Sequence, residues 1–357
     1  MSRVENEEPR RQATLSDVAR QAGTSVATVS RVLNNTDYPV SNDTRQRVLN
    51  AANALRYTPN LLGRMLKTGS ARSLGIIIPS FQNPFFIQLV MGIEHAAHER
   101  NYTTFVFSAQ RSASIERRMI QQIMNLRIPG LLLSSMDKDS AMLLRFLNQG
   151  GKAALFEAEY APPSDVIDAT ASMDENGYLA TSFLLDRGHT HLALLTTPMT
   201  RHNRQMVARG FHEALLSRGI PFGAHCVFES QQERELDDGL FEFEAGKSLA
   251  RRLLESGQPI TGIVAINDLL ACGVIQGLTQ AGNRIPEDFS VVGIDDIPQS
   301  AMLSPALTTV NQESYQHGYE ACLHLIDLLE DPQHSLPVRC YHMPRMVQRQ
   351  SVRALGD

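Results

Sequence analysis

The sequence predicts an all-α helix-turn-helix headpiece followed by an α/β body of two lobes, each built on a doubly wound parallel sheet. Three observations carry this prediction. Leu15 to Tyr57 reads as three short helices with no strand among them. From Ser73 onward, short apolar runs alternate with amphipathic stretches of about 10–16 residues, the pattern of parallel strands and their crossover helices. The charge also divides at that join: residues 1–72 hold 11 Lys+Arg against 6 Asp+Glu and residues 73–357 hold 22 against 32, so a chain of net charge −5 is a +5 head on a −10 body. A basic head on an acidic body points to a polyanionic partner for the head alone.

The chain's 357 residues exceed one ordinary core, and 43% hydrophobic with 20% charged residues is a globular composition. Cys226, Cys272, Cys322 and Cys340 show no C-x-x-C spacing, so neither a disulfide framework nor a zinc site is expected. The opening "MSRVENEEPRRQA" has no apolar core of a secretory signal, and no run approaches the ~20 apolar residues of a membrane span. The expectation is a cytoplasmic, nucleoid-associated protein with no membrane partner. It divides into a disordered tail at 1–12, a helix-turn-helix domain at 13–58, a hinge helix and linker at 59–72, and the body at 73–357.

The headpiece is justified element by element. Leu15–Gln21 forms a first helix capped by Thr14 or Ser16, and Ser25–Asn34 a second with Ser25 as its cap. Between them Gly23 supplies the left-handed turn residue, Ala19 sits where the crossing helices come closest, and Val18, Val29 and Val32 point inward. A third helix starts at Ser41, with Val48, Ala51, Ala52 and Leu55 at i, i+3, i+4 and i+7. This leaves Val26, Ala27, Ser30 and Arg31 on the outer, N-terminal side of the second helix, the part of a recognition helix that enters the major groove. Arg31 can donate two hydrogen bonds to a guanine, and Val26 or Ala27 can touch a thymine methyl. Thr24, Ser25, Thr28 and Asn34 suit phosphates, and Thr14 and Ser16 join the DNA-binding set.

"YTPNLLGRMLKTGSARS" then links head to body. Pro59 can start about two helical turns over Asn60–Leu66. A helix so short is unstable alone, and Gly63 inside it costs a further ~1 kcal/mol relative to Ala, so it forms only when held by something else.

"TLSDVARQAGTSVATVSRVLN", "VSNDTRQRVLNAANALRYTPNLLGRML" and "SLGIIIPSFQNPFF" together resemble the LacI/GalR family of transcription regulators, with later motifs extending the likeness over nearly the whole chain. The resemblance implies a DNA-binding headpiece, a hinge helix, and a two-lobed body like periplasmic sugar-binding proteins, working as a dimer or tetramer on a pseudo-palindromic double-stranded operator. It implies that Leu66 wedges into the minor groove beside the partner's hinge, that Arg64 and Lys67 neutralise phosphates, and that Tyr57 and Asn60 contact DNA. Gly63 stands where the family commonly has alanine, so this hinge is expected to be softer. The tail "MVQRQSVRALGD" has no heptad run, so nothing in it argues for a tetramerising helix.

In the body, "SLGIIIP", "TTFVFS", "GLLLSS" and "AALFE" form one strand series and "HLALLT", "HCVFES", "GIVAI" and "FSVVGID" the other. The first lobe is expected to take about 73–171 plus 305–337 and the second about 172–304 plus 338–357. Ligands of open α/β sheets sit beyond the strands' carboxyl ends, which singles out Ser80–Phe86, Ser108–Arg111, Thr196–Arg204, Asn267-Asp268 and Asp295-Asp296. By resemblance, Asn83, Phe85 and Phe86 line an effector cavity, with Asn267 and Asp295 as polar contacts suited to sugar hydroxyls. The family's usual effector-binding arginine, three residues before the glycine of the "GF" pair, is here Val207, and Arg204 is its expected substitute. Likewise Ser172-Met173 stands for an Asp-Asn pair.

No G-x-S-x-G, G-x-G-x-x-G or H-E-x-x-H occurs, and "EAGKS" lacks the earlier glycine of a phosphate loop because position 241 is Phe241. His189 in "RGHTHLAL" fits a helix-to-strand turn better than a metal site. The expectation is therefore no catalytic residue, metal or cofactor, and a repressor whose operator affinity follows a small-molecule effector, a sugar or sugar derivative. The alternative is a free-standing sugar-binding protein, which accounts for the body and leaves the basic head unexplained.

Overall fold

The computed structural model describes residues 13–33, 39–57, 72–223, 226–231, 241–331, 340 and 342–355. The tail, Asn34 and the hinge residues Asn60, Arg64, Leu66 and Lys67 lie outside these. Chain contacts divide the protein into two units, Met1–Ala71 and Arg72–Asp357.

In the first unit α1 (Leu15–Ala22) begins with a capping box: Thr14 accepts from the Asp17 N–H, and the Asp17 carboxylate accepts from the Thr14 N–H at 2.9 Å. Two orphan donors of the first turn are thus satisfied reciprocally. Gly23 ends the helix at φ 60° and ψ 43°, a left-handed conformation that a side chain would strain. The Ser25 hydroxyl accepts from the Thr28 N–H at 3.1 Å and opens α2 (Val26–Leu33); Ser41 opens α3 (Asn42–Ala54) by accepting from Thr44. Val18, Val29 and Val48 are fully buried at the junction of the three helices, with small Ala19, Ala22, Ala51 and Ala52 between them.

The body's first lobe alternates β1 (Ser73–Ile78), α4 (Pro84–Glu99), β2 (Thr103–Ser108), α5 (Ala113–Asn125), β3 (Gly130–Ser134), α6 (Ala141–Asn148), β4 (Lys152–Glu157) and a short β5 (Ile167–Asp168). They make a parallel sheet in the order β2-β1-β3-β4-β5. The second lobe runs α7 (Met173–Leu185), β6 (Leu192–Thr196), α8 (His202–Ser217), β7 (Val227–Glu229), α9 (Phe241–Glu255), β8 (Gly262–Ala265), α10 (Asp268–Gln280), β9 (Ser290–Ile294), α11 (Pro298–Met302) and β10 (Thr308–Asn311). The chain then returns through α12 (Ser314–Glu330), whose Ala321, Cys322, Leu325 and Ile326 complete the first lobe's core, and ends on β11 (Arg345–Val347). The second sheet is ordered β11-β10-β9-β8-β6-β7, parallel except for β11, which runs antiparallel to β10.

Two expected boundaries are corrected by this topology. Residues 305–311 belong to the second lobe, because Thr308–Val310 pair with Val292–Ile294 of β9 and extend that sheet. The lobe change therefore falls at 312–313. On the way back, Cys340 still donates to the Asp168 carbonyl at 2.9 Å and His342 still bonds Glu320, so the crossing falls after 342 rather than at 338. Helices α7 and α12 follow β5 and β10, two strands that are not among the apolar runs read from the sequence.

Helix pairs clamp each lobe by close backbone approach. A Cβ on Gly177 of α7 would lie 2.1 Å from the Val207 carbonyl oxygen, and one on Gly210 of α8 would lie 1.8 Å from that of Asp174. Only glycine allows the two helices to touch there. His189 is buried at the end of α7, bonded to Thr261 and to the Arg353 carbonyl, and burial lowers its pKa; it closes a turn, as expected.

Candidate functional site

Two surfaces merit attention, one in each unit. On α2, Val26, Ala27 and Arg31 are exposed and Thr28 and Ser30 half-buried, with Ser25 exposed and Thr24 half-buried just before them. Thr14 and Ser16 are exposed at the start of α1, where Thr14 is engaged as the cap. The ring of Tyr57 packs on the headpiece core, so its burial serves the bundle whatever its hydroxyl touches. The outward face of α2 is thus a short strip of small and polar side chains around one guanidinium, on a helix held rigid from behind by Val29 and Val32.

The second surface is a cleft within the body, at the carboxyl ends of both sheets. Asn83, Phe85, Phe86, Arg204, Asn267 and Asp295, all expected from the sequence, line one cavity there. Asn83 caps α4, its side-chain oxygen accepting from the Phe85 N–H at 3.0 Å. This fixes the turn that presents Phe85 and Phe86 edge to face, 5.2 Å between ring centres. Across the cleft, Asn267 caps α10 in the same way, accepting from the Leu270 N–H at 2.9 Å. Asp295 has φ 127°, a conformation uncommon for a side-chain-bearing residue, and its carboxylate accepts from Gln312 at 2.7 Å. Gln312 in turn accepts from Asn176 at 3.0 Å.

Beneath this wall lies Asp268, fully buried, which accepts from the Ser300 hydroxyl at 2.6 Å, the Thr309 hydroxyl at 2.5 Å and the Ile297 N–H at 3.0 Å. Those bonds pin the loop that carries Asp295. Burial pushes the Asp268 carboxyl up to about 7, against the pull of its three donors. Burial also raises Asp295 well above the usual carboxylate range, and the neighbouring Asp268 adds to the rise.

Val207 is fully buried in the second lobe's core and lies away from the cavity lining, so the usual arginine position is here a packing position. Arg204, one turn earlier, reaches the cavity instead, donating to Thr197 at 3.0 Å and to Asn203 at 2.9 Å. Met173, one of the pair at 172–173, also lines the cavity.

Glu157, Arg201, Asn203, Arg111, Gln312, Glu242 and Ile266 complete the lining, and none of them was individually assigned to the cavity from the sequence. Arg111, Arg201 and Asn203 fall inside the stretches marked by the strand-end rule. Glu157 ends β4 and obeys the same rule. Several of these residues bridge the lobes: Asn203 donates to Glu157 at 3.2 Å, Arg201 lies 3.3 Å from Glu159 and 3.7 Å from Glu157, and Arg111 is ion-paired with Glu242. The cavity they line has a volume of about 40 Å³, room for a few waters. Among the described residues no cluster of His, Cys, Asp and Glu could hold a metal ion, all four cysteines are free and buried, and no helix is long and apolar enough to cross a membrane.

Comparison with known proteins finds matches in both units. A model of "Bacterial regulatory proteins, lacI family" matches residues 14–60, and one of "Periplasmic binding protein-like domain" matches residues 181–352. Over 344 residues the chain is 31% identical to the HTH-type transcriptional repressor PurR of Aliivibrio fischeri (strain ATCC 700601 / ES114), covering 95% of this chain and 98% of that protein. Among solved structures it is similar to the lac repressor dimer bound to operator and the anti-inducer ONPF, with 25% identity and a TM-score of 0.81 over 96% of this chain and 100% of that one. It is similar as well to the transcriptional regulator CelR–cellobiose complex, with 26% identity and a TM-score of 0.70 over 95% and 99% of the two chains.

Proposed function

The chain belongs to the LacI family of bacterial regulatory proteins, and from that premise we propose how its residues divide the family's work. It is an effector-controlled, DNA-binding transcriptional repressor and not an enzyme. In our reading it acts in the cytoplasm as a homodimer on a pseudo-palindromic operator, each α2 reading one half-site. Arg31 takes a guanine edge, Val26 and Ala27 take a neighbouring methyl with Ser30 beside them on the groove-facing side, and Thr24, Ser25 and Thr28 set the register on phosphates.

The effector lies in the cleft, against Asn83, Phe85 and Phe86 from one lobe and Arg204, Asn267 and Asp295 from the other. Its class is a sugar or sugar derivative: aromatic rings edge one wall while amide and carboxyl groups stand on the other. A cellobiose complex among the similar structures is in keeping with this class. The observation that carries the reading is the convergence of those six residues, from both lobes, on one cavity at the carboxyl ends of two parallel sheets.

The test has two arms. Selection from a random duplex library, followed by mobility shifts at two salt concentrations, recovers one discrete operator whose affinity falls steeply with salt. A thermal-shift screen of sugars, sugar acids, sugar phosphates and nucleobases then finds a compound that stabilises the body and changes operator affinity by about 5- to 150-fold. Recovery of no preferred duplex would refute the half-site reading, and stabilisation by nucleobases alone would refute the sugar class.

A further inference from the structure

A second cavity adjoins the effector cleft on the side where the chain first crosses between the lobes. Its volume is about 130 Å³, against about 40 Å³ for the cavity described above, and the two share Glu157, Met173, Arg201 and Asn203 as a common wall. The first lobe contributes the end of β4 and the residues after it, the crossing contributes Thr170–Ser172, and the second lobe contributes the starts of α7 and α8. The two cavities are thus successive compartments of one space between the lobes.

The compartments differ in chemistry. The first is lined largely by amide, carboxyl and guanidinium groups around the Phe85–Phe86 pair. Most of the open wall of the second is hydrocarbon and thioether, from Phe156, Ala158, Ala171, Met173 and Met206. Phe156 is buried and the other four are half-buried, so an apolar guest there covers surface that water otherwise touches. The carboxylates on its rim are engaged: Glu159 accepts from the Arg201 guanidinium at 3.3 Å and from the His202 N–H at 2.9 Å, and Glu157 accepts from Asn203 at 3.2 Å. The two methionines give the wall unbranched, polarisable side chains that reshape around a ring and pack favourably on its edge. Size agrees, since an apolar cavity of about 150 Å³ holds one benzene ring.

We propose that this second chamber receives an apolar ring carried by the effector, whose polar part lies in the neighbouring cavity, so that the effector is a glycoside with an aromatic aglycone rather than a free sugar. The inference rests on the assignment of the cleft as the effector site and narrows the effector's class. The shared wall links the two parts. The Met173 sulfur accepts from the Asn176 amide at 3.4 Å, the same amide donates to Gln312 at 3.0 Å, and Gln312 donates to Asp295 at 2.7 Å. A ring seated against Met173 therefore bears on the chain of bonds that orients Asp295. Because Phe156 and Ala158 belong to one lobe and Met206 to the other, the ring is also gripped by both.

The experiment uses the full chain and separates the ring from the sugar. Calorimetric titrations compare phenol alone with the methyl and phenyl glycosides of D-glucose, D-galactose and D-mannose. They are run on wild type and on Ala158→Leu, Ala171→Leu and Met206→Trp, which fill the chamber from the first lobe, the crossing and the second lobe. Phenol is expected to bind wild type weakly, and the phenyl form of the recognised sugar to bind about tenfold more tightly than its methyl form. Each filled variant is expected to lose phenol binding and to cancel the phenyl gain. The melting point of each variant without ligand reports whether it folds, and three separate positions keep the test open if one does not. The proposal is overturned if phenol does not bind and the phenyl and methyl forms bind alike, or if the binding or gain seen in wild type survives in the filled variants. Phenol binding that the filled variants abolish, with no glycoside bound, sustains the chamber and sinks the sugar reading on which the glycoside class rests. Methyl glycoside binding with neither a phenyl gain nor phenol binding sinks the chamber and leaves the sugar reading intact.

Discussion

The two binding surfaces are built on opposite plans. The outward face of α2 presents the exposed side chains of Val26, Ala27 and Arg31 and the half-buried Thr28 and Ser30 within one eight-residue helix, backed by a core of valines and alanines. The cleft gathers half-buried and buried polar groups from strand ends more than 200 residues apart, and they are already bonded to one another. The difference follows from the ligand. A duplex brings its own fixed lattice of phosphates and base edges, so a rigid helix with side chains in water suffices. A small molecule must be surrounded, so its site consists of buried polar groups that need partners when it is away. The cleft is consequently sensitive to burial, backbone strain and protonation, and α2 to single side chains.

The largest effect that would break this contrast is steric. A Cβ on Gly210 would sit 1.8 Å from the Asp174 carbonyl oxygen, so Gly210→Val must part α7 from α8. We expect more than about 3 kcal/mol of destabilisation, read by calorimetry as a lowered transition of the body. The headpiece, a separate unit with its own core, keeps its transition. If both shift together, the two surfaces do not belong to independently stable units.

Protonation comes next. Asp268 has its folded pKa raised to about 7 from the ordinary 3.8, so the fold holds its proton more tightly than the unfolded chain does. The stability linked to that proton is present in full below about 4 and is lost as pH rises toward 7, with Asp295 acting in the same direction. The loss should be on the order of 2 kcal/mol in the body, and Asp268→Asn should flatten it, because an amide has no proton to lose in this range. Denaturant titrations at several pH values check this. An equal slope in wild type and Asp268→Asn would mean that another group controls it.

How much of each surface was legible follows from the same contrast. In the headpiece every determinant is local: the Thr14 and Ser41 caps, the left-handed Gly23 and the inward valines are all decided within a few residues of each other. In the body, the strand-end rule marked the stretches that hold Asn83, Phe85, Phe86, Arg204, Asn267 and Asp295, because each follows an apolar run that announces its strand, and the family resemblance picked these residues out of them. It missed Gln312 because β10, "TTVN", is short and half polar, and with it went the true point of return to the first lobe. The rule has no purchase on Glu242, which comes from the start of a helix. Helix α12 passed unread because its burial is set by a partner distant in sequence, α4, about 230 residues earlier, and α7 because the β5 strand before it, "ID", is only two residues long.

On the other surface the effects are smaller and confined to single contacts. Arg31→Ala should relax the preference at one base pair by about 1–3 kcal/mol, seen as a degenerate position in duplexes selected from a random library, and Arg204→Ala should leave the selected sequence unchanged. A uniform loss over all duplexes would make Arg31 a phosphate contact and would erase the distinction between its role and that of Thr28.

The smallest effect tests whether α2 owes its rigidity to the bundle rather than to the DNA. Thr14→Ala removes the side-chain half of the capping box on α1, the hydroxyl that the Asp17 N–H reaches at 3.3 Å, together with the hydroxyl's own bond to the Asp17 carboxylate at 2.7 Å, and leaves the backbone half in place. The expected cost is about 1 kcal/mol, confined to the headpiece transition, with the body's unchanged. Because α1 and α3 form the cradle of α2, the loss should appear as a uniform weakening over all duplexes, the opposite signature to that of Arg31→Ala. Should Thr14→Ala instead leave headpiece stability intact while weakening DNA binding, Thr14 would be a direct phosphate contact, and the strip read by the duplex would extend from α2 onto the start of α1.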